Sequence, residues 1–241
     1  MDWQAHRREA HNLGRSEEFL KQIVYGGNDG IVTTFAVVAG FAGAQSEGIA
    51  QVGGLAVLVF GLANLFADAV SMALGEFLSL RSQHDLYRAR RRSELVEIAK
   101  NPAQERDELF EILRDRGLPP GDAEAAAAIL SRHPGIMADL MMTYEFGMHL
   151  PDVENPPLNA LFTFLAFIAF GTIPLVPYFL LAPTETTFFL SVASTGFALL
   201  GLGLLRWNAT GERLARSVGE TVAVGSLCAL VAYLIGLAVA A

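Results

Sequence analysis

Three side chains with metal-binding chemistry recur every four residues inside an otherwise apolar segment. They are Asp68, Met72 and Glu76, within residues 52–80. A helix would place all three on one face, and a charge at membrane depth costs at least about 2.5–3.5 kcal/mol. Carboxylates beside a thioether suit a divalent transition metal. The spacing therefore predicts a face that lines a path for a metal cation; the alternative is a buried polar cluster that only orients helices.

A further carboxylate lies near the start of the first apolar segment. Asp29 stands between Asn28 and Gly30. At this position a carboxylate can cap a helix or form a turn, which is the structural alternative. In the functional interpretation it is the entry point of the cation path, and we predict Asp29 as a path residue on that basis.

A second group of possible metal ligands lies in the polar segment 81–156. It contains two Glu-x-x-Glu pairs and one Met-Met-x-x-Glu sequence, and side chains three or four apart share a helical face. These residues are Glu94, Glu97, Glu105, Glu108, Met141, Met142 and Glu145. If their helices pack together, the carboxylates and thioethers favour a transition metal, and Fe²⁺ fits best. The alternative is a set of solvated helix faces. The ferritin-type Glu-x-x-His spacing is absent, which argues against a di-iron oxidase.

The composition is that of a membrane protein. The chain is 52% hydrophobic with a mean hydropathy of +0.39, and its net charge of −8 argues against nucleic-acid binding. Five segments reach the length of about 20 apolar residues that a membrane helix needs. They are roughly 22–45, 52–80, 157–182, 186–206 and 217–241. We therefore predict an all-α polytopic membrane protein with five transmembrane helices and a helical cytosolic domain inserted between the second and third.

The basic residues predict the orientation. All 17 Lys and Arg residues fall on one side of a five-span arrangement. The positive-inside rule then places the N-terminus and the insertion in the cytosol, and the C-terminus outside or in a lumen. The predicted domains are 1–80 with transmembrane helices 1 and 2, 81–156 as the cytosolic metal-binding domain, and 157–241 with transmembrane helices 3 to 5.

Two local predictions concern helix ends. Pro174 and Pro177 predict a kink or an end in the third transmembrane helix, because proline removes a backbone donor. Asp122 is predicted to cap a short alanine-rich helix over 123–132.

The sequence resembles the vacuolar iron transporter family. The similarity is carried by Asn-Asp-Gly-Ile-Val at 28–32, by Ser-Met-Ala-Leu-Gly-Glu-Phe at 71–77 and by the Glu and Met set of the insertion. The resemblance implies a homodimer that moves Fe²⁺, and often Mn²⁺, out of the cytosol in exchange for protons. It implies that Asp29 and Met72 line the path near the dimer axis, with Glu76 close by, and that the insertion gathers metal. Asp68 lies outside the matched motifs, so its predicted role rests on helix geometry alone.

The resemblance also bears on partners and location. It implies divalent metal ions and protons as partners within a lipid bilayer, with the metal as cargo rather than as a cofactor, and no enzyme activity. The short Ala- and Arg-rich chain is typical of a bacterial protein, which implies the inner membrane; plant and yeast members of the family lie in vacuoles. Three alternatives stay open: a membrane-tethered metal-binding protein or ferroxidase without transport, a structural membrane protein, and a passive channel.

Overall fold

The described part of the chain is built from helices with short connections, which confirms the predicted all-α class. A computed structural model describes residues 19–44, 50–148 and 155–240. In chain order the helices are α1 (Leu20–Gly43), α2 (Ala50–Lys100), α3 (Pro102–Asp115), α4 (Pro120–Leu130), α5 (Pro134–Tyr144), α6 (Pro156–Thr172), a 3-10 turn (Ile173–Leu175), α7 (Val176–Leu180), α8 (Glu185–Thr210) and α9 (Leu214–Ala240).

The chain forms two compact units. The first, here called the membrane unit, contains the described residues up to Phe77 and from Pro157 onward. The second, here called the insertion, is Leu78–Pro156. Helix α2 contributes residues to both units because it runs across the boundary at Phe77.

Four segments are long and apolar enough to cross a membrane, judged by length and composition within the described residues. They are Gly54–Lys100, Pro156–Leu180, Glu185–Thr210 and Leu214–Val239. Helix α1 is long enough at 24 residues, but Asn28 and Asp29 lower its apolarity and it is not in this set. The protein is thus an integral membrane protein, and the fifth span stays a prediction that depends on α1.

Helix α1 lies at the centre of the membrane unit. Its Phe35 packs in one apolar cluster with Leu175, and its Ile31 packs in another with Leu202 of α8. Since successive turns of α1 contribute to different clusters, the helix is enclosed by its neighbours over most of its length.

Glycines let the backbones around α1 approach closely. A methyl group at Gly30 would overlap the carbonyl oxygen of Phe167 in α6, and one at Gly43 would overlap the carbonyl oxygen of Tyr233 in α9. A residue without a Cβ is therefore needed at both contacts. The face of α1 that contains Gly43 thus packs on another helix of the same chain.

The predicted break near Pro174 and Pro177 is confirmed. Helix α6 ends at Thr172, a 3-10 turn follows, and α7 begins at Val176. The carbonyl of Pro174 accepts a hydrogen bond from Ser191 Oγ at 2.6 Å, and that of Ile173 accepts one from Ser194 Oγ at 3.3 Å. The hydroxyls of α8 therefore satisfy carbonyls that the kink withdraws from the helical ladder.

The insertion has its own apolar core. The core residues are Ile98, Leu109, Ala127, Met137, Ala138 and Met141, so each of its four helical segments contributes. A polar clamp ties α5 to α2: Arg91 Nε donates to Asp139 Oδ1 at 2.6 Å, and Tyr87 OH donates to the same oxygen at 3.4 Å. The Arg91 Nη2 group also donates to the Gly135 carbonyl at 3.2 Å.

One helix end in the insertion differs from the sequence prediction, and another bears on the position of a predicted ligand. Helix α4 begins at Pro120, so Asp122 lies in its first turn and is not its cap. Proline fits the first helical position because the N–H it lacks has no partner there in any case. Helix α5 ends at Tyr144, and Glu145 follows as its C-cap, so Glu145 is not an interior helical residue.

Candidate cation path and carboxylate cluster

Helices α1 and α2 run antiparallel in the membrane unit and bring the predicted path residues together. Gln22 Nε2 donates to Glu76 Oε1 at 3.3 Å, and the carboxylates of Asp29 and Asp68 lie close enough to interact electrostatically. The Gln22–Glu76 pair is here called the lower level, and the Asp29–Asp68 pair is called the upper level. Seven residues separate the two levels on α1, and eight residues separate them on α2. At 1.5 Å per residue the levels are therefore roughly 10–12 Å apart along the helices.

The upper level pairs two carboxylates with an amide. Asn64 Nδ2 donates to Asp68 Oδ2 at 2.8 Å, one turn apart on α2. Asp29 and Asp68 are both half-buried. The charges of Asp29 and Asp68 repel each other, and a cation between them would relieve this repulsion.

Met72 lies between the two levels on the same face of α2. Its side chain is half-buried and packs against the apolar cluster of Leu65, Ala69 and Phe167. Apolar neighbours thus hold the thioether midway along α2 between Asp68 and Glu76. A soft sulfur ligand there could pass a transition metal from one level to the other.

The lower level is built around Glu76, whose side chain is 16% exposed. Besides the Gln22 hydrogen bond, Glu76 Oε1 lies 3.6 Å from Lys21 Nζ. Lys21 and Gln22 are not among the residues predicted from the sequence. The available signal was that Gln22 precedes Asp29 by seven residues, which is two helical turns and therefore the same face.

In the insertion, two glutamates from different helices lie side by side in a buried position. Glu94 of α2 is 3% exposed and Glu105 of α3 is 4% exposed, and their carboxyl groups share a hydrogen bond. Such a bond between two carboxyls needs one proton. Glu94 Oε1 is buried and has no hydrogen-bond donor within the described ranges.

The surroundings of this pair disfavour negative charge. Burial, the charge of Glu105 and the hydrogen bond to it raise the pKa of Glu94 to about 7, and the charges of Glu145 and Glu97 act in the same direction. Burial also raises the pKa of Glu105, although the hydrogen bond from Glu94 opposes that shift. The pair therefore holds a proton near neutral pH, in competition with a metal cation.

The other predicted glutamates surround this pair. Partial desolvation, followed by the charges of Glu108, Glu105 and Glu97, raises the pKa of Glu145, although the residue as a whole is exposed. Glu108 and Glu145 line an open groove of about 660 Å³. Glu108 Oε1 accepts a hydrogen bond from Gln104 Nε2 at 2.9 Å. The five glutamates thus form one electrostatically coupled group, of which Glu108 and Glu145 line the groove.

The two predicted methionine ligands are fully buried. Met141 and Met142 are both 0% exposed, and Met141 belongs to the apolar core of the insertion. Among the residues that the structure describes, no group of three or more His, Cys, Asp or Glu side chains is arranged to hold a metal ion.

These features define a class of helical integral membrane protein. Its membrane unit encloses carboxylates and a thioether, and its inserted helical unit contains a cluster of glutamates. Residues 20–237 match the model of the VIT family. The chain is similar to vacuolar iron transporter 1 of Oryza sativa subsp. japonica, with 32% identity over 228 residues that cover 95% of this chain and 87% of the relative. The chain is also similar to vacuolar iron transporter 1 of Arabidopsis thaliana, with 32% identity over 228 residues that cover 95% of this chain and 88% of that relative.

A more distant organism provides a similar match. The vacuolar iron transporter of Toxoplasma gondii is 31% identical over 235 residues, which cover 94% of this chain and 76% of that protein. The chain therefore belongs to the vacuolar iron transporter family, as its motifs at 28–32 and 71–77 predicted.

Proposed function

We propose that the protein is a proton-coupled transporter that exports Fe²⁺, and also Mn²⁺, from the cytosol. The observation that carries the proposal is that Asp29 and Asp68 interact electrostatically inside the membrane unit of a VIT-family chain, with Met72 one turn from Asp68. Carboxylates held together in an apolar surrounding need a cation or protons to neutralise them. Binding of one displaces the other, and this competition couples the two fluxes.

The proposed path runs along the facing sides of α1 and α2. Glu76 receives the cation at one level, Met72 passes it on, and Asp29 with Asp68 binds it at the next. An inward proton gradient then protonates the carboxylates as the metal leaves, and this drives export.

In the same proposal the insertion collects metal in the cytosol. Its proposed ligands are Glu94, Glu97, Glu105, Glu108, Met141, Met142 and Glu145. The shared proton of Glu94 and Glu105 is released when a cation binds, so loading depends on cytosolic pH. Family membership is the support for a homodimer, and the distribution of basic residues supports a cytosolic N-terminus and insertion.

The test is metal uptake into proteoliposomes that contain the purified protein, with and without an imposed pH gradient. Fe²⁺ and Mn²⁺ are each used as the substrate. Asp29→Ala and Met72→Ala are expected to reduce uptake to the level of empty liposomes. Asp115→Ala, which removes an exposed carboxylate whose side chain is 78% accessible, serves as the control and should transport normally.

The outcomes separate the alternatives. Uptake that needs both the gradient and Asp29 supports the proposed exchange, and uptake without any gradient dependence indicates a channel. Near-normal uptake in Asp29→Ala and Met72→Ala contradicts the path. Metal binding without uptake under any gradient favours the tethered metal-binding protein.

A further inference from the structure

One oxygen of Glu76 makes two contacts. The proposed binding of a cation by Asp29 and Asp68 does not require either of them. Glu76 Oε1 accepts a hydrogen bond from Gln22 Nε2 at 3.3 Å and lies 3.6 Å from Lys21 Nζ. The Lys21 side chain is 71% exposed, whereas that of Glu76 is 16% exposed. An exposed ammonium therefore lies beside a carboxylate that is largely shielded from water.

The amide of Gln22 has a second unusual property. Gln22 is only 5% exposed, and its Oε1 atom is buried without a hydrogen-bond donor within the described part of the chain. A buried amide oxygen without a donor costs free energy, and native structures contain few such atoms. Because this oxygen shares its amide with the nitrogen that contacts Glu76, it lies beside the same carboxylate.

The geometry fits a cation in place of the hydrogen bond. Rotation of the Gln22 amide by half a turn exchanges its nitrogen and oxygen, so that two oxygens would face each other at the 3.3 Å separation of this contact. With metal–oxygen bonds of about 2.1 Å, those oxygens would subtend roughly 100° at the metal, near the octahedral value. The present hydrogen-bonded orientation is the one expected when no cation lies between them.

We propose that Gln22 and Glu76 form a binding station for a hydrated divalent transition-metal cation, and that Lys21 is its built-in competitor. The Lys21 ammonium neutralises Glu76 when the station is empty, and an arriving cation displaces it. Because Lys21 is exposed, its ammonium can leave into solvent at little desolvation cost. The role of the station in transport rests on the proposed function, whereas the binding itself does not.

The first experiment measures Mn²⁺ binding to the full chain in nanodiscs, from the electron paramagnetic resonance signal of free Mn²⁺. The background carries Glu94→Gln, Glu97→Gln, Glu105→Gln, Glu108→Gln and Asp29→Ala, so that neither the insertion nor the upper level masks the station. Gln22→Leu should raise the Kd about tenfold, as removal of a supporting oxygen does at other metal sites. Gln22→Glu, which keeps the size and adds a charge, should lower the Kd.

The competitor is tested with a matched pair of charge changes. Lys21→Met should lower the Kd about two- to fivefold, which is the range expected for removing one exposed ion pair. Lys21→Arg should leave it unchanged. Arg213→Met removes one positive charge at an exposed position between α8 and α9 and should have no effect. The gain from Lys21→Met should disappear in Glu76→Gln, since the two residues act on the same site.

The results distinguish failure of the station from failure of transport. If Lys21→Met and Arg213→Met change the Kd equally, Lys21 acts only through the overall charge of the protein and is not a specific competitor. Unchanged Kd values in both Gln22 variants would overturn the station. Mn²⁺ uptake by the same variants in the wild-type background should show KM changes in the same directions. If the wild-type protein shows no uptake, the proposed function fails and the binding data still decide the station.

Discussion

Glu94 is a glutamate whose surroundings disfavour its charge, and this has consequences for both binding and stability. It is buried beside Glu105, and its pKa is raised to about 7. A carboxylate must lose its proton to bind metal. The binding of metal to the insertion is therefore expected to follow the ionisation of this residue.

We predict that the Mn²⁺ affinity of the full chain falls about tenfold between pH 8 and pH 6, because the ionised fraction of a group with a pKa of about 7 falls by that factor. Glu94→Gln should lower the affinity at pH 8 and remove most of the pH dependence. Glu124→Gln, at an exposed position on α4, is the control. If the Mn²⁺ affinity of Glu94→Gln keeps the pH dependence of the wild type, the Glu94–Glu105 pair has only a structural role.

The same shift predicts an opposite effect on stability. The pKa of Glu94 is raised from 4.5 to about 7 on folding, so its charge destabilises the metal-free fold as the pH rises above 4.5, and fully above 7. Without metal, Glu94→Gln should therefore raise the Tm at pH 8 and leave it unchanged at pH 4. Lower Tm values for the variant at pH 8 would mean that the carboxylate is stabilised by contacts that outweigh its burial.

At the scale of the element, close backbone contacts hold α1 in the position where its polar side chains face α2. Gly30 packs directly on the carbonyl of Phe167, and the Gly30 carbonyl is itself 2.8 Å from where a Cβ on Gly171 would lie. Because both partners are backbone atoms, neither can rotate away from an added methyl group. The position of Asp29, one residue earlier, depends on this contact.

We predict that Gly30→Ala destabilises the membrane unit by about 1–3 kcal/mol or more, as overpacking of a well-packed interior does. The measurement is the Tm from size-exclusion profiles after heating. The matched control is Gly201→Ala in α8, where an added methyl group meets no atom within 4 Å. Alanine favours a helix interior, so this control should be neutral or slightly stabilising. Equal Tm values for the two variants would contradict close packing of α1 on α6.

At the scale of the whole molecule, the number of membrane crossings depends on α1. Among the described residues, four helical segments are apolar enough to span, while α1 carries Asn28 and Asp29 and owes its place in the membrane unit to packing. If α1 spans, residues before it lie on the same side as the insertion. If it does not, they lie on opposite sides.

We predict that α1 spans, because only then do all basic residues fall on one side. With Cys228 replaced by alanine, Ser16→Cys and Gly117→Cys should react with an impermeant maleimide from the cytosolic side, and Pro183→Cys from the opposite side. If Ser16→Cys and Gly117→Cys are labelled from opposite sides of the membrane, α1 does not span and four crossings remain.

The sequence by itself determined the features that follow from helical periodicity and composition. The all-α class, the break at Pro174 and Pro177 and the family could each be predicted. The shared face of Asp68 and Glu76 could be predicted too, since a helix fixes which residues of one element lie together. Helix ends could not be predicted in this way: Asp122 lies three residues beyond the actual cap of its helix, and Glu145 follows the last residue of its helix.

Only the tertiary structure decided which side chains meet across elements. That Glu76 faces Gln22 and Lys21, and that Glu94 meets Glu105 in a buried position, depends on the register in which two helices pack. That register is set by backbone contacts at glycines and by apolar clusters distant in sequence, such as the one that contains Met141. Periodicity within one helix carries no information about the rotation and offset of its neighbour, because these depend on the packing of all the contacting surfaces together.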